Sequence, residues 1–260
     1  MQIRSLLLTL TLCTASLQGQ DRLKRDPQEL HQLHQNSKSY IAFLEDPQRD
    51  EYQKPQEVLM ALGVREGEVI ADIGAGSGYF SFRFAHHVGS LGRVYAVDIN
   101  PDMIRYMNRR IRDTGLKNVV TVLSDPDDPF LWDASVDRFF ICDTWHHIDN
   151  KAKYLELMKK MLKADGQVVM IDFQKRDLPI GPPVDMKIAR EDLLRQMQDS
   201  GFRLLKEHTF LPYQYFLVFT PALAAKSTQS GARRHAPDFR GGTELAPQRL
   251  GKPGPGAGGN

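Results

Sequence analysis

Val69-Ile70-Ala71-Asp72-Ile73-Gly74-Ala75-Gly76-Ser77-Gly78-Tyr79-Phe80 decides the architecture of this 260-residue chain. Residues 69–73 form a short, largely β-branched apolar run of the kind that makes a strand buried on both faces. Glycines at 74, 76 and 78 follow, and an aromatic-rich stretch then continues as a helix. Glycine lets the backbone turn tightly and come close to a ligand, and a helix N-terminus offers free N–H groups to an anion. A ligand with anionic or nucleotide-like parts belongs at such a turn. Taken alone, the pattern serves several nucleotide-binding chemistries.

Outward from this turn, the same short apolar runs recur at 94–97, 119–123, 136–141 and 167–171. Helical stretches lie between several of them. Over 101–112, Met103, Ile104, Met107 and Ile111 make one apolar stripe, and over 150–162 Tyr154, Leu155, Met158, Met161 and Leu162 do the same. Gly166 then stands where a helix exit favours a left-handed residue. Strand and helix in turn imply βαβ units with right-handed crossovers, hence an α/β, doubly wound sheet. After the fifth strand a Pro/Gly-rich loop, 178–183, leads to a helix over 190–200 and two strands over 202–208 and 213–219, joined by a link short enough for a hairpin. Five parallel strands and a C-terminal antiparallel hairpin make seven strands in all. Upstream, 27–44 reads as a helix and Pro55 starts another running to Leu62. Both are expected to cover the sheet's carboxyl edge, where open α/β sheets bind ligands.

Spacing sharpens the site. The second strand ends at Val97-Asp98, twenty residues after Gly78, where a carboxylate can accept both hydroxyls of a ribose. A helix-capping role for Asp98 is the alternative, but Asn100 can serve that purpose instead. The fourth strand runs into Cys142-Asp143-Thr144-Trp145-His146-His147-Ile148 at the ligand edge. Imidazole titrates near neutral pH, so His146 or His147 can deprotonate or orient an acceptor hydroxyl; the alternative is that one caps local backbone and the other packs. No metal site is expected, because neighbouring histidines point in different directions and no Cys/His spacing fits a zinc pattern. In the polar turn Asp50-Glu51-Tyr52-Gln53-Lys54-Pro55, Tyr52 and Gln53 are candidate lid residues or simple anchors of the next helix. Tyr213, Gln214, Tyr215 and Phe216 are expected to pack the sheet.

Over about residues 50–219 the sequence resembles class I S-adenosylmethionine-dependent methyltransferases, in the broad group that includes ubiquinone-biosynthesis and arsenite methyltransferases. The resemblance implies a Rossmann-like fold with S-adenosylmethionine as cofactor. Asp72, Gly74, Gly76 and Gly78 would surround its methionine part and Asp98 its ribose. Ser124-Asp125-Pro126 resembles the adenine-binding turn, Asp125 accepting from the exocyclic amine, and Asp143 joins the cofactor set. Similar enzymes carry a His-His-Ile run where this chain has 146–148. The implied reaction is methyl transfer to carbon, oxygen or nitrogen of a small molecule. Arsenite fits poorly, since that activity relies on several cysteines and Cys13 and Cys142 are the only two here. Two other readings stand beside it. An NAD(P)-dependent oxidoreductase would want a glycine where Tyr79 stands, and a domain that binds S-adenosylmethionine without turnover would share every cofactor residue.

The whole chain adds bounds. With 34 basic and 32 acidic side chains the net charge is +2, which provides no global field for nucleic acid or an anionic membrane. The expected partner is a small-molecule substrate, and the sequence leaves the oligomeric state open. Met1 to Arg4 and the apolar run after it have the form of a secretory signal, ending after Ala15 or Gly19 and too short to span a bilayer. Export is therefore expected, with a cytoplasmic enzyme as the alternative. The organisation reads as a signal peptide over 1–19, a helical cap or linker over 20–54, the methyltransferase domain over 55–222 and a Gly/Pro-rich disordered tail over 223–260.

Overall fold

Apolar runs bounded by Gly, Pro, Asn and Asp pair into a single sheet in this computed structural model, which describes residues 36–222. The expected leader, the first part of the helix expected over 27–44 and the tail over 223–260 lie outside the described residues. The strands are β1 (Val69–Ile73), β2 (Arg93–Asp98), β3 (Val119–Leu123), β4 (Val136–Cys142), β5 (Leu162–Phe173), β6 (Phe202–His208) and β7 (Gln214–Pro221). Their order is β3-β2-β1-β4-β5-β7-β6. The first five run parallel, and β7 lies antiparallel to both β5 and β6. The fold is the seven-stranded, Rossmann-like α/β sheet that the sequence implies.

The helices are α1 (Ser37–Leu44), α2 (Arg49–Gln53), α3 (Pro55–Leu62), α4 (Tyr79–Val88), α5 (Pro101–Thr114), α6 (Lys151–Met161) and α7 (Arg190–Asp199). Because successive strand residues face opposite ways, the sheet feeds two cores. Ile70, Val94, Phe140, Val169 and Phe216 pack on one face with Val58, Phe84 and Met107 of α3, α4 and α5. Ala71, Phe139, Val168 and Leu217 pack on the other with Leu155, Met158, Leu193 and Met197 of α6 and α7. Asn100 caps α5 by accepting from the Asp102 amide at 2.8 Å, and Asn150 caps α6 through the Lys153 amide. Pro55 occupies the first turn of α3, as its missing N–H allows. Among the described residues no helix is long and apolar enough to cross a membrane.

Two local expectations are corrected. Gly166 is not a left-handed helix exit: α6 ends at Met161, Leu162 is already extended, and Gly166 lies within β5, absent from the positive-φ residues. Its reason is crowding. The β4–β5 register jumps between Val136/Leu162 and Arg138/Gln167, and a Cβ at Gly166 would sit 2.6 Å from the Leu162 side chain and 2.9 Å from the Lys163 carbonyl. The alternation of strand and helix also lapses between β3 and β4, where 124–135 form a loop pinned by an isolated Asp125/Asp128 bridge.

The cap formed by α1 and α2 lies over the carboxyl edge. Ser37 donates to Asp102, Arg110 pairs with Glu45 at 2.9 Å, Tyr79 donates to Asp50, and the Lys54 ammonium donates to the Phe210 carbonyl at 3.2 Å. These ties reach both the start of the sheet and its last hairpin.

Candidate cofactor and acceptor site

The glycine turn closes on the strands beside it. Gly74, Gly76 and Gly78 all have positive φ, and the Gly74 and Ala75 amides donate to the Val97 carbonyl at 2.9 and 3.0 Å. A side chain at Gly74 would overlap Thr144 after β4, and one at Gly76 would come within 2.9 Å of Leu44 in the cap. The turn is therefore pressed between β4 and the cap, and only bare backbone fits.

Asp98 is buried at the end of β2, where one carboxylate oxygen accepts from the Gly76 amide and the other from the Asn100 amide, both at 2.8 Å. Burial raises its pKa above the ordinary carboxylate value, and these backbone donors oppose the rise. Each oxygen keeps a second lone-pair direction, so the carboxylate can still accept from a diol. Ser124 follows β3 with its amide bonded to the Asp98 carbonyl, and Asp125 beside it is exposed. Asp72 lies under the turn. Its Oδ2 accepts from the Ser81 hydroxyl of α4 at 2.6 Å, and burial pushes its pKa up to about 7 against that bond.

At the end of β4 the arrangement differs. Asp143 takes a left-handed backbone conformation, φ 52°, that few non-glycine residues tolerate apart from Asn and Asp. Its Oδ2 accepts from the Gln53 amide of α2 and, at 3.5 Å, from that of Gln214 on β7. Its Oδ1 and the Gln214 Oε1 are both sealed from solvent without a hydrogen-bond partner. Burial and repulsion from Asp172 push the Asp143 pKa up to about 7, with Arg49, His146 and Gln53 acting the other way. Gln53 has no exposed surface, and its Oε1 also accepts from the Cys142 thiol at 3.5 Å. Tyr52 packs with Phe173 and Ile180. Both residues of the polar turn thus anchor the cap, and Gln53 does so at the ligand edge itself. Gln214, expected only to pack the sheet, belongs to the same cluster.

The two histidines separate in role. They lie in a single 3-10 turn, Trp145–His147, with ring centroids 4.1 Å apart. His147 is exposed. The His146 ring is buried, its Nδ1 lying 2.9 and 3.1 Å from the two carboxylate oxygens of Asp172 near the end of β5. That bond assigns the ring proton to Nδ1 and leaves Nε2 as the lone-pair nitrogen. Burial disfavours the imidazolium, but the hydrogen bond and charge of Asp172 outweigh it, so the pKa of His146 stands above its ordinary value. Asp172 escaped the sequence reading although a signal was present: like Asp98, it is an acid at the end of an apolar strand.

A carboxylate-rich edge with an unpaired oxygen at Asp143 suits a cationic ligand carrying a diol. The sequence profile of the family described as "Methyltransferase domain" matches residues 65–210, more than half of the chain. The chain belongs to the class I S-adenosylmethionine-dependent methyltransferases. A solved S-adenosylmethionine-dependent methyltransferase from Aquifex aeolicus matches this methyltransferase with a TM-score of 0.67 and 29% identity, over 75% of this chain and 98% of that one. The ubiquinone/menaquinone biosynthesis C-methyltransferase UbiE of Hydrogenovibrio crunogenus is 32% identical over 119 residues, 45% of this chain and 47% of that protein. UbiE of Idiomarina loihiensis is 32% identical over 114 residues, 44% of this chain and 45% of that protein. The chain thus spans about half the length of the curated relatives it matches.

The residues present fit the family's cofactor. Its sulfonium and ammonium are cations that buried Asp72 and half-buried Asp143 can face, and its ribose is a diol for Asp98. The bare backbone of the glycine turn admits close approach. Where a dinucleotide fingerprint would want a third glycine, Tyr79 is a buried ring packed edge-on against Phe80.

Proposed function

We propose that this enzyme transfers a methyl group from S-adenosylmethionine to a small-molecule acceptor by in-line displacement, with His146 taking the acceptor's proton. The observation that carries the reading is the juxtaposition, along one sheet edge, of the glycine turn with Asp98 and of His146 held by Asp172. When bound, the cofactor supplies an electrophilic methyl on a sulfonium, so little covalent chemistry is asked of the protein. Asp98 holds the ribose, Asp125 the adenine amine, and Asp72 and the glycine turn the methionine part. Asp143, whose Oδ1 has no hydrogen-bond partner, would answer the cofactor's cationic centre. Asp172 keeps His146 in the tautomer whose Nε2 can accept a proton from an acceptor O–H, N–H or activated C–H. The proton then passes to water. Alignment and exclusion of water supply the remainder of the acceleration. The names of the UbiE relatives support carbon as one acceptor atom to try.

Isothermal calorimetry with S-adenosylhomocysteine and, separately, NAD tests the cofactor. Binding of the former alone is expected, and NAD binding alone would overturn the proposal. A screen of phenols, enolisable carbonyls and amines with radiolabelled methyl donor then tests turnover; binding without transfer to any of them favours a domain that holds S-adenosylmethionine without chemistry.

A further inference from the structure

Arg49 opens α2, and its guanidinium stands 4.0 Å above the ring of Tyr79, the first residue of the helix that the glycine turn feeds. Its Nη1 donates to the Leu44 carbonyl at 3.2 Å, and Leu44 is the residue against which Gly76 is pressed. The Arg49 charge opposes the rise in pKa that burial imposes on Asp72, Cys142 and Asp143. Yet among the described residues no ion pair includes Arg49. A guanidinium has five N–H donors in a planar fork matched to a carboxylate. One hydrogen bond to a backbone carbonyl leaves most of that fork unused. Unlike Arg138, whose Nε is sealed without a partner, Arg49 has no nitrogen that is both sealed and unpartnered.

The other nearby cations are committed elsewhere. Arg83 binds the Tyr79 carbonyl and Asp50, Arg110 binds Glu45 and the Ser77 carbonyl, and Lys54 binds the Phe210 carbonyl. The site's remaining charge is anionic, from Asp72, Asp98 and Asp143. The methionine part of the cofactor carries two cationic centres and one carboxylate. Three acids answer the cations and the ribose, and the carboxylate needs a cation of its own.

We propose that Arg49 binds the α-carboxylate of the cofactor's methionine part through the free side of its guanidinium fork. The assignment rests on the cofactor reading above and deepens it.

The test is calorimetry of the full chain with S-adenosylmethionine and with decarboxylated S-adenosylmethionine, which differ in that carboxylate alone. Arg49→Ala should weaken the first by about 10- to 100-fold, the range for a charge-assisted bond, and change the second by no more than about twofold on the same scale. Arg49→Lys, which keeps charge and length but not the fork, should fall between. An Arg49→Ala protein that loses both ligands equally assigns Arg49 to the packing of the cap and overturns the proposal, as does one that loses neither. A wild-type protein that binds neither ligand overturns the cofactor reading itself, and the Arg49 assignment with it.

Discussion

The two halves of the carboxyl edge are built on opposite terms. On the β1–β2 side, both oxygens of Asp98 are held by amides of its own neighbourhood, one in the glycine turn and one two residues on. On the β4–β5–β7 side, Asp143 is twisted into a left-handed conformation and leaves an oxygen unpaired beside an unpaired Gln214 oxygen. The Tyr215 hydroxyl, on the strand paired with Asp172, is also sealed without a partner. Backbone hydrogen bonds fix the first half before any ligand arrives. The second keeps polar capacity in reserve, and an unmet buried group costs stability in the free protein. Such capacity is useful where charge or a proton has to be handled during a reaction.

The largest effect that would sharpen this contrast is kinetic. With any acceptor the screen yields, His146→Ala should lower kcat by roughly 100-fold or more, the span of general-base catalysis, while the exposed His147→Ala stays near wild type. Equal losses would erase the distinction drawn between the two rings. Next in size, Asp98→Ala should weaken S-adenosylhomocysteine by about 100-fold in calorimetry, since two charge-assisted bonds to the ribose go with it. An unchanged affinity would move the ribose to another residue and break the cofactor half of the comparison.

The smallest effect is on stability. Asp72 and Asp143 have folded pKa values near 7 against an ordinary 3.8, so between these limits the folded protein binds more protons than the unfolded chain. Stability of the ligand-free protein should therefore fall as pH rises from about 4 to about 7 on account of these groups. Asp143→Asn tolerates the left-handed backbone and removes one of the two. It should raise Tm at pH 8 by several degrees, at roughly 2–4 °C per kcal/mol recovered, and flatten the pH slope seen by calorimetric scanning. A slope identical to wild type would mean that the unpaired carboxylate carries no strain.

The same contrast explains what the sequence revealed. The glycine turn, Asp98 and Asn100 do their work within a few residues of one another or at a fixed repeat of the βαβ unit, so spacing exposes them. Gln53 and Asp143 are separated by 90 residues, Asp143 and Gln214 by 71, and His146 and Asp172 by 26. No local pattern announces such meetings, which follow only from strand order and from where the cap lands. Polar residues in the segment before the sheet marked Tyr52 and Gln53 as candidates, but not which of them would reach Asp143. Gly166 misled for a related reason: a glycine demanded by crowding in a strand and one demanded by a left-handed turn read alike in one dimension.

The position of β7 between β5 and β6 bears on how the molecule comes into being. During synthesis the chain emerges from its N-terminal end, and β6 pairs in this sheet only with β7. Until the ribosome has released residues 214–221, β6 has nothing to pair with and β5 presents an open edge, a recognised hazard for misassociation. The seventh strand works as a wedge, and its arrival decides when the sheet can close.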